Sequence, residues 1–505
     1  MGEDMRNEMV GPAGSDIVLV TLNARWHHAS FGLRSLRANL GNLADRCRIV
    51  ERTITDRAVD VVEEILAMQP RVVGIGVYVW NATLSLEIVR LLKRLRASVV
   101  VVVGGPEVSH EVAAQEICAR ADYVVTGEGE LAFRALCERL LDPARRSPLA
   151  IVEKVIEGGR PALDQLAFPY HLYDDTDLQH RVVYVEASRG CPFTCEFCLS
   201  SLDDGVRTFD LEAFLAEMDA LLSRGLLRFK FVDRTFNLKI ESSRRILAFF
   251  RERLRPGLFL HFEMVPDRLP EPLRAELASF PAGVVQLEVG IQTFDDDVAR
   301  RIARRQDGSR IEDNLRYLAA HTGVHVHADL IVGLPGEDLA TFGRGFDRLW
   351  SLGANEIQVG ILKRLRGAPI IRHDEESAMI YSESPPYDVL CTAALSFEDA
   401  QRMKRFARYF DLVVNNGRFP ATSRVLLGQA GGAFASFLAF SDWLWSTTKT
   451  KEGIAPGRLS ELLHRFLAHR GVDDQIVLSA LERDLGRDRV ADLPERQARH
   501  AAAPR

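Results

Sequence analysis

Residues 190–198 read Gly190-Cys191-Pro192-Phe193-Thr194-Cys195-Glu196-Phe197-Cys198, and this stretch decides the fold. Its three cysteines have the spacing C-x3-C-x2-C. Three thiolates on one short loop can reach three corners of a cubane iron–sulfur cluster, because soft sulfur ligands suit iron–sulfur centres and zinc. A closed site would need a fourth ligand nearby, and the remaining cysteines are isolated in sequence: Cys47, Cys118, Cys137 and Cys391. We therefore expect a cluster with one open iron, where chemistry can occur.

The cysteine loop directly follows the first strand of an α/β series. Six β-rich runs alternate with helices, and the helix Asp210–Arg224 shows one apolar stripe with Asp210 as its cap. The predicted strands are Val182–Ala187, Phe229–Val232, Phe259–Glu263, Val284–Val289, His325–Val332 and Glu356–Ile361. Six such units predict a partial (β/α)6 barrel, with its chemistry at the carboxyl ends of the strands by analogy with the full barrel.

The cysteine spacing, with the aromatic Phe197 before the last cysteine, resembles the signature of the radical SAM superfamily. The resemblance implies a [4Fe–4S] cluster held by Cys191, Cys195 and Cys198, whose fourth iron binds the amino and carboxylate groups of S-adenosylmethionine (SAM). One-electron cleavage of the sulfonium then yields a 5′-deoxyadenosyl radical. The resemblance also implies a one-electron donor such as flavodoxin or ferredoxin.

Other residues near predicted strand ends resemble SAM contacts of that family. The segment Gly333–Gly336 resembles the family's glycine-containing segment near the adenine, and glycines let backbone approach a ligand closely. Asp233 to Asn237 stand where many relatives carry a Gly-Gly-Glu amine-binding turn, so this chain departs from the family there. The candidate SAM-binding residues are Phe197, Asp233, Asn237, Glu263, Glu288, Gln292, Gly333, Leu334, Pro335 and Gly336.

Residues 16 to about 140 also alternate short buried strands with amphipathic helices. Runs at Asp16–Thr21, Val72–Val77, Val99–Val103 and Tyr123–Val125 predict a doubly wound parallel sheet of about five strands, covered on both faces. Ligands of such sheets lie beyond the carboxyl ends of the strands. No Gly-x-Gly-x-x-Gly follows the first strand, which argues against a dinucleotide site. Glycines at several strand ends instead predict a broad floor for a large planar ligand, with its tail inserted between sheet and helix.

This pattern, followed by the cysteine loop, resembles the cobalamin-binding radical SAM class over about residues 16–370. The motif Asp-x-His-x-x-Gly, whose histidine ligates cobalt from below, does not occur in the sequence. We therefore expect no axial ligation by His27 or His28, and a lower corrin face that is bare or covered by a noncoordinating side chain. The candidate cobalamin-binding residues are Asn23, Tyr78, Trp80, Asn81, Gly104, Gly105, Pro106, Glu107, Gly127, Glu128, Gly129 and Glu130.

Composition is that of an ordinary folded protein. The chain has 505 residues, of which 47% are hydrophobic and 27% charged, with a formal net charge of −6. Disordered, collagen-like and disulfide-scaffold proteins are excluded, and so weak a charge argues against nucleic-acid binding. The uncharged run Val425–Ser441 falls short of a membrane span and predicts a buried helix. With no secretory signal visible, we expect a cytoplasmic protein without membrane insertion.

Six segments are predicted along the chain. They are a disordered N-terminus (1–15), a cobalamin-binding domain (16–145), a linker (146–180), the radical SAM core (181–375), a mostly helical C-terminal domain (376–495) and a tail (496–505). The C-terminal part, with Ser384-Pro385-Pro386-Tyr387 and Asn415-Asn416-Gly417-Arg418-Phe419, resembles a domain of unassigned function. This domain occurs in one bacterial subgroup of cobalamin-binding radical SAM proteins, and the resemblance implies that it helps to close the substrate cavity.

Three hypotheses on function follow from the resemblance. The first is a methyltransferase for an unactivated carbon of a small molecule or peptide, in which a substrate radical collects methyl from methylcobalamin. The second uses the same cofactors for ring formation, contraction or rearrangement without methyl transfer. The third is a non-catalytic cluster or cobalamin protein that acts as a sensor or carrier. Glu263, Asp233 and Tyr387 are candidates for a substrate base.

Overall fold

The first domain is a six-stranded parallel sheet with helices on both faces. The structure, a computed structural model, describes residues 15–142 and 153–486. The strands are β1 (Ile17–Asn23), β2 (Cys47–Thr53), β3 (Val72–Gly76), β4 (Val100–Gly104), β5 (Tyr123–Thr126) and β6 (Val155–Glu157), and the helices are α1 (Phe31–Ala38), α2 (Ala58–Ala67), α3 (Ala82–Leu95), α4 (Glu116–Arg120) and α5 (Glu130–Leu141). The strand order β2-β1-β3-β4-β5-β6 confirms the predicted doubly wound sheet.

Both faces of this sheet carry their own apolar core. Helices α2, α3 and α4 cover one face, and α1 and α5 cover the other. Every residue of β1 is buried, because a central parallel strand covered on both sides has no solvent face. The order of strands reverses between β1 and β3, and the carboxyl ends on either side of that reversal leave a crevice for a ligand.

The predicted linker 146–180 is more than a connector. Its residues Val155–Glu157 form β6, which pairs in parallel with β5 and extends the first sheet. The helix α6 (Asp175–His180) is also packed against the first domain, because Arg34 donates to the Asp177 carboxylate at 2.6 Å. Arg181 donates to both Asp177 (3.0 Å) and Glu51 (2.8 Å). Residues 1–14 of the predicted N-terminal segment (1–15), residues 146–152 of the linker and the tail 496–505 lie outside the described residues.

The second domain is a curved parallel sheet with helices on its outer face. Its elements are β7 (Val183–Val185), α7 (Leu211–Ser223), β10 (Arg228–Phe231), α8 (Ile240–Glu252), β11 (Phe259–Met264), α9 (Glu271–Ala278), β12 (Val285–Gln292), α10 (Asp296–Arg301), α11 (Gly308–His321), β13 (His325–Val332), α12 (Leu339–Ser351) and β14 (Glu356–Ile361), with the hairpin β8 (Ser188–Cys191) and β9 (Gly205–Thr208) after β7. The strand order β7-β10-β11-β12-β13-β14 confirms the predicted partial barrel. Asp210 caps α7 by accepting from the backbone N–H of Ala213, as expected.

The two faces of the barrel sheet differ in chemistry. Burial alternates strictly along β12 and β13, because successive side chains of a strand point to opposite faces. The fully buried residues pack against the outer helices, while most of the partly exposed residues on the inner face are polar, as in Glu288 and His327. The barrel interior is therefore lined by titratable groups.

The C-terminal part is mostly helical, as predicted, and shares the core of the barrel. It comprises β15 (Ile380–Tyr381), β16 (Val389–Cys391), α13 (Phe397–Phe410), α14 (Pro420–Leu427), α15 (Ala433–Thr448), α16 (Pro456–His469) and α17 (Asp474–Leu485). Phe346 of α12 packs against Phe406 and Phe434, with ring centroids 5.3 and 5.9 Å apart. The uncharged run 425–441 spans the end of α14, a turn and the buried first half of α15. Within the described residues, no helix is long and apolar enough to cross a bilayer.

Candidate functional site

The cysteine loop leaves the hairpin at the carboxyl end of β8. Gly190 has φ of +95°, and a Cβ there would lie 2.2 Å from the carbonyl oxygen of Gly205, so only glycine fits this turn. Cys191 and Cys198 are half-buried and Cys195 is buried. All three border one cavity of about 220 Å³, together with Phe197. The loop therefore presents its thiols to a common space at the mouth of the barrel.

Glu196, between two of the cysteines, ties this loop to the chain that follows the barrel. Its buried carboxylate accepts from Arg372 Nε at 2.7 Å and lies 2.6 Å from His373 Nε2. Its backbone carbonyl accepts from Ile370 at 2.9 Å. The sequence motif did not predict that Glu196 would bind Arg372 and His373, because a glutamate in this loop could equally well be exposed to solvent.

The chemistry of the three thiols suits an iron–sulfur cluster, because soft sulfur ligands favour such centres and all three border one cavity. Burial raises the pKa of the Cys191 thiol, and the Cys195 and Cys198 thiolates raise it further. Metal ligation requires deprotonated thiols, so a bound cluster would release these protons. Arg304 donates to Cys195 Sγ at 3.4 Å and would stabilise sulfur charge.

Four predicted SAM-binding residues border the same cavity as the cysteines: Phe197, Glu263, Glu288 and Gln292. Gln292 sits at a bulge of β12 with φ of +73°, and its amide oxygen is buried without a hydrogen-bond partner. A buried acceptor left unpaired costs free energy, so this atom fits a ligand that carries donors, such as the ammonium or hydroxyl groups of SAM. Sequence reasoning missed Asp329 and Arg304, which border the cavity as well.

Asp233 and Asn237 do not border this cavity; both hold loops in place. Asp233 is buried and accepts from Ser188 Oγ at 2.5 Å and from Ala187 N–H at 3.1 Å. Burial raises the pKa of Asp233 to about 6. Asn237 bonds both backbone groups of Val265, at 2.8 and 2.9 Å. These two residues therefore join β8 to the end of β10 and fix the loop after β11.

The predicted adenine segment, Gly333-Leu334-Pro335-Gly336, does not border the cysteine cavity. A Cβ at Gly333 would lie 2.5 Å from Val389 Cγ1, and Leu334 is fully buried in an apolar cluster with Val298 and Ile302. In this structure the segment packs against the start of the C-terminal part. Glycine is required at position 333 because Val389 approaches it closely and because its φ is +89°.

A chain of titratable groups follows the inner face of the barrel behind the cysteine cavity. Glu288 lies 3.1 Å from His261 Nε2. His327 lies 3.3 Å from Asp329 and 3.2 Å from Glu356. Burial by itself would lower the pKa of His327, but its ion-pair contacts with these two carboxylates raise it to about 10. His327 is therefore a cation at neutral pH.

We predict that His327→Gln destabilises the protein in a pH-dependent way. Because the folded pKa of about 10 exceeds the ordinary value of 6.5, the stabilisation is complete below pH 6.5 and disappears as the pH rises toward 10. The expected loss at pH 6 is about 2 kcal/mol in the free energy of unfolding. Urea unfolding at pH 6, 8 and 10 measures it, with the exposed His171→Gln as control. An equal loss at all three pH values would contradict the assignment.

A second cavity, of about 480 Å³, lies between the first sheet and the barrel. Eight predicted cobalamin-binding residues border it: Tyr78, Gly104, Gly105, Pro106, Gly127, Glu128, Gly129 and Glu130. A Cβ at Gly105, where φ is +111°, would lie 2.5 Å from the carbonyl oxygen of Val77. The cavity continues past Gly74 and Gly76 to Leu33 of α1 and Phe133 of α5. A glycine floor leading into a slot between sheet and helices fits a planar corrin with an inserted tail.

Arg189, on β8 of the barrel, joins the two domains at the edge of this cavity. Its guanidinium donates to Glu128 and Glu130 of the first domain at 2.8 Å each, and to Glu186 at 2.9 Å. Burial raises the pKa of Glu186 to about 7, although Arg189 opposes this. The predicted Glu128 and Glu130 therefore border the cavity while their carboxylates bind Arg189. This pairing across 60 residues leaves no local signal in the sequence.

Asn23, Trp80 and Asn81, also predicted to bind cobalamin, support the strand ends instead. Asn23 donates to the His28 carbonyl at 2.8 Å. The Asn81 side chain accepts from Tyr78 N–H at 2.8 Å. The Trp80 ring stacks on Tyr78 at 4.5 Å and its Nε1 donates to the backbone of β1. None of the three borders the cavity.

The two histidines considered as cobalt ligands are also outside the cavity lining. His28 Nδ1 lies 2.5 Å from the Tyr184 hydroxyl, and burial lowers its pKa to about 4. His27 packs against His28, with ring centroids 4.1 Å apart. That neither histidine ligates cobalt stays a prediction.

Glu107 connects the first domain to the C-terminal part. Its buried carboxylate accepts from the Tyr387 hydroxyl at 2.6 Å and from Arg366 Nε at 3.0 Å. The hydroxyl of Tyr387, a predicted candidate for a substrate base, is therefore already hydrogen-bonded within the protein. Burial and Glu107 raise the pKa of Tyr387 to about 12. The loop after β4 is therefore hydrogen-bonded to residues 366–387. The same segment contacts the cysteine loop through Arg372 and His373.

The two cavities adjoin, and Ser200 and Arg234 border both of them. A reactive group in the cysteine cavity and a corrin in the larger cavity would therefore face each other across these two side chains.

Family models match three consecutive parts of the chain. A B12 binding domain matches residues 16–137, the radical SAM superfamily matches residues 185–349, and a protein of unknown function (DUF4080) matches residues 375–499. The first two matches coincide with the doubly wound sheet and the barrel that carry the two cavities. The chain is a cobalamin-binding radical SAM protein. Its family assigns it a [4Fe–4S] cluster, SAM and cobalamin as cofactors, which agrees with the donor set and the glycine floor described above.

Curated relatives and solved structures support this assignment. The chain is 29% identical over 343 residues to 2-(S-pantetheinyl)-carbapenam-3-carboxylate methyltransferase of Streptantibioticus cattleyicolor, covering 62% of this chain and 50% of the relative. It is 26% identical over 330 residues to the cobalamin-dependent radical SAM methyltransferase TokK of Streptomyces tokunonensis, covering 60% and 48%. The matches thus span about half the length of these relatives.

Two solved cobalamin enzymes share the fold of this radical SAM protein. TsrM from Kitasatospora setae, with cobalamin and a [4Fe–4S] cluster, matches with a TM-score of 0.58 at 18% identity, covering 93% of this chain and 99% of that chain. OxsB, with aqua-cobalamin and SAM, matches with a TM-score of 0.61 at 14% identity, covering 97% and 80%. At these identities the likeness establishes the common architecture.

Proposed function

We propose that this protein is a methyltransferase that acts on an unactivated carbon. The observation that carries the proposal is the junction of the two cavities at Ser200 and Arg234. A substrate held there would lie between the SAM side and the corrin side, as transfer of a methyl group to a carbon radical requires. Two methyltransferases among the relatives support the same reaction.

The residues of the chain bind, orient and exclude water. Cys191, Cys195 and Cys198 would hold the cluster, and Gln292 and Glu263 would position SAM. When bound, the cluster and SAM supply a carbon radical, and cobalamin supplies a transferable methyl group. The ion pairs of Arg189 join the first domain to the barrel, and the Glu107–Tyr387 bond joins it to the C-terminal part, so the separation of the two cavities is fixed. Such fixed orientation is the main contribution of a protein whose cofactors carry the difficult chemistry.

A small molecule or peptide is the proposed substrate class, with flavodoxin or ferredoxin as the proposed electron donor. We also propose a cytoplasmic location, where cysteines stay reduced and can bind a cluster. Ring formation or rearrangement with the same cofactors is the second candidate, because the same junction would serve it. A non-catalytic sensor is the third.

Product analysis distinguishes the three candidates. Reconstituted protein is incubated anaerobically with a reductant, methyl-labelled SAM and cell extract, and the products are followed by mass spectrometry. Methyl transfer yields both 5′-deoxyadenosine and S-adenosylhomocysteine, together with a labelled product. Rearrangement yields 5′-deoxyadenosine without S-adenosylhomocysteine. If the reduced protein cleaves no SAM, both enzymatic proposals are wrong and the sensor remains.

A further inference from the structure

Arg234 stands at the junction of the two cavities with most of its donors unused. Its side chain is 55% exposed because it projects into this space. Among the described residues its single polar partner is Glu263, at 3.4 Å from Nη1 to Oε2. Charge-assisted hydrogen bonds of this type are normally about 2.7–2.9 Å long, and a guanidinium carries five N–H donors. The contact to Glu263 is therefore loose and leaves the outer edge of the guanidinium available.

The neighbouring arginines of the cavity walls differ in this respect. Arg189 is bonded to three carboxylates at 2.8–2.9 Å. Arg304 donates to the carbonyls of Gly290 and Ile291 as well as to Gln306. Arg305 is exposed at the rim of the cysteine cavity and does not border the larger one. Arg234 is thus the arginine that presents spare donors to both cavities.

Ser200 extends the donor surface beside Arg234. It borders both cavities, and its hydroxyl has no hydrogen-bond partner among the described residues. A planar guanidinium fork next to a hydroxyl matches the geometry of a carboxylate or phosphate group. A cation cannot bind the ammonium group of SAM, so Arg234 cannot replace the amine-binding turn that the family carries at this place.

We propose that Arg234, with Ser200, is an anion receptor and that the substrate carries a carboxylate or phosphate which binds there. The inference rests on the proposed function, because it places the substrate between SAM and the corrin. Anchoring a substrate by its anionic group would hold the reacting carbon at the junction while leaving it free of polar contacts. The specificity of the enzyme would then include small acidic molecules and exclude neutral ones.

Phenylglyoxal labelling of Arg234 tests the receptor directly. Wild-type protein with cluster and cobalamin is labelled anaerobically with saturating SAM, and the rate at Arg234 is measured by peptide mass spectrometry. Succinate or inorganic phosphate at millimolar concentration is expected to slow labelling of Arg234 at least about fivefold, which corresponds to a bound fraction above 80%. The exposed Arg418 serves as the internal control and should be unaffected. Unchanged labelling of Arg234 by both anions would overturn the proposal.

Two further labelling experiments test whether the anion that binds Arg234 belongs to the substrate or to SAM. SAM and decarboxylated SAM are compared without other anions, and equal labelling of Arg234 is expected. Protection by SAM alone would assign the receptor to the SAM carboxylate and overturn the substrate assignment. SAM cleavage is measured in the same preparation, so a failure of the proposed function, with no 5′-deoxyadenosine formed, is recognised independently of the labelling result.

The Glu263→Gln variant tests the geometry. Removing the charge of Glu263, the carboxylate hydrogen-bonded to Arg234, should tighten anion binding about threefold or more, seen as a lower succinate concentration for half-protection. An arginine that is merely exposed would show no change in this concentration, and that result would contradict a receptor built from Arg234 and Ser200.

Discussion

Replacing Cys195 with alanine is expected to abolish cleavage of SAM while the protein remains folded. Cys195 is the buried member of the three proposed cluster ligands and borders the same cavity as Gln292. Changes to an outer partner of a metal ligand already cost about 10–100-fold, so loss of a ligand itself should lower 5′-deoxyadenosine formation by more than about 100-fold. Anaerobic reconstitution followed by quantification of iron, sulfide and 5′-deoxyadenosine measures the effect.

Cys391→Ala is the matched control for this experiment. Cys391 lies on β16 and also has a partly exposed thiol, but it is outside the cysteine cavity. Its removal should leave iron content and SAM cleavage unchanged. Full activity in the Cys195 variant, or equal losses in both variants, would show that the loop does not hold a reactive cluster.

Gly76→Val is expected to abolish retention of cobalamin without affecting the cluster. Gly76 borders the slot between the first sheet and α1, and a Cβ there would meet Leu33 and Tyr78 at an ordinary 3.5 Å. A single methyl group is therefore accommodated, whereas the two further methyl groups of valine must enter the slot. Overfilling a packed space costs about 1–3 kcal/mol, which lowers affinity about 5- to 150-fold.

The visible corrin spectrum after desalting measures this effect. Gly76→Ala is the graded control and should retain most of the cobalamin bound by wild type. Circular dichroism and iron content should be unchanged in both variants, because the cluster lies in the other domain. If the valine variant retains cobalamin as well as the alanine variant does, the corrin does not occupy this slot.

The sequence allowed the chemistry of the cysteine loop and both parallel sheets to be predicted. The ligands lie within eight residues of one another, and strand periodicity is a local property, so neither depends on distant contacts. The polar inner face of the barrel could also have been predicted from the sequence. His325, His327 and Asp329 are every second residue of one strand, so their side chains lie on one face of the sheet. Reading that alternation as a shared cavity would have added Asp329 to the candidate site.

The hydrogen-bond partners of individual side chains could not be predicted from the sequence. Glu107 follows a strand end, as a ligand residue would, yet its carboxylate bonds Tyr387, 280 residues later. Glu196 lies inside the cysteine motif but bonds His373. Such partners are set by the packing of separate segments, and a single sequence carries no record of which charged groups will meet.

What the sequence alone determined is therefore the donor set: three thiols on a loop at a strand end, followed and preceded by parallel α/β units. The tertiary structure alone decided the arrangement around it. It placed Gly333 against Val389 and brought Ser200 and Arg234 to the junction of two cavities. The physical reason is that ligand chemistry and strand periodicity are encoded within a few residues, whereas a junction between domains is defined by contacts between residues far apart in the chain.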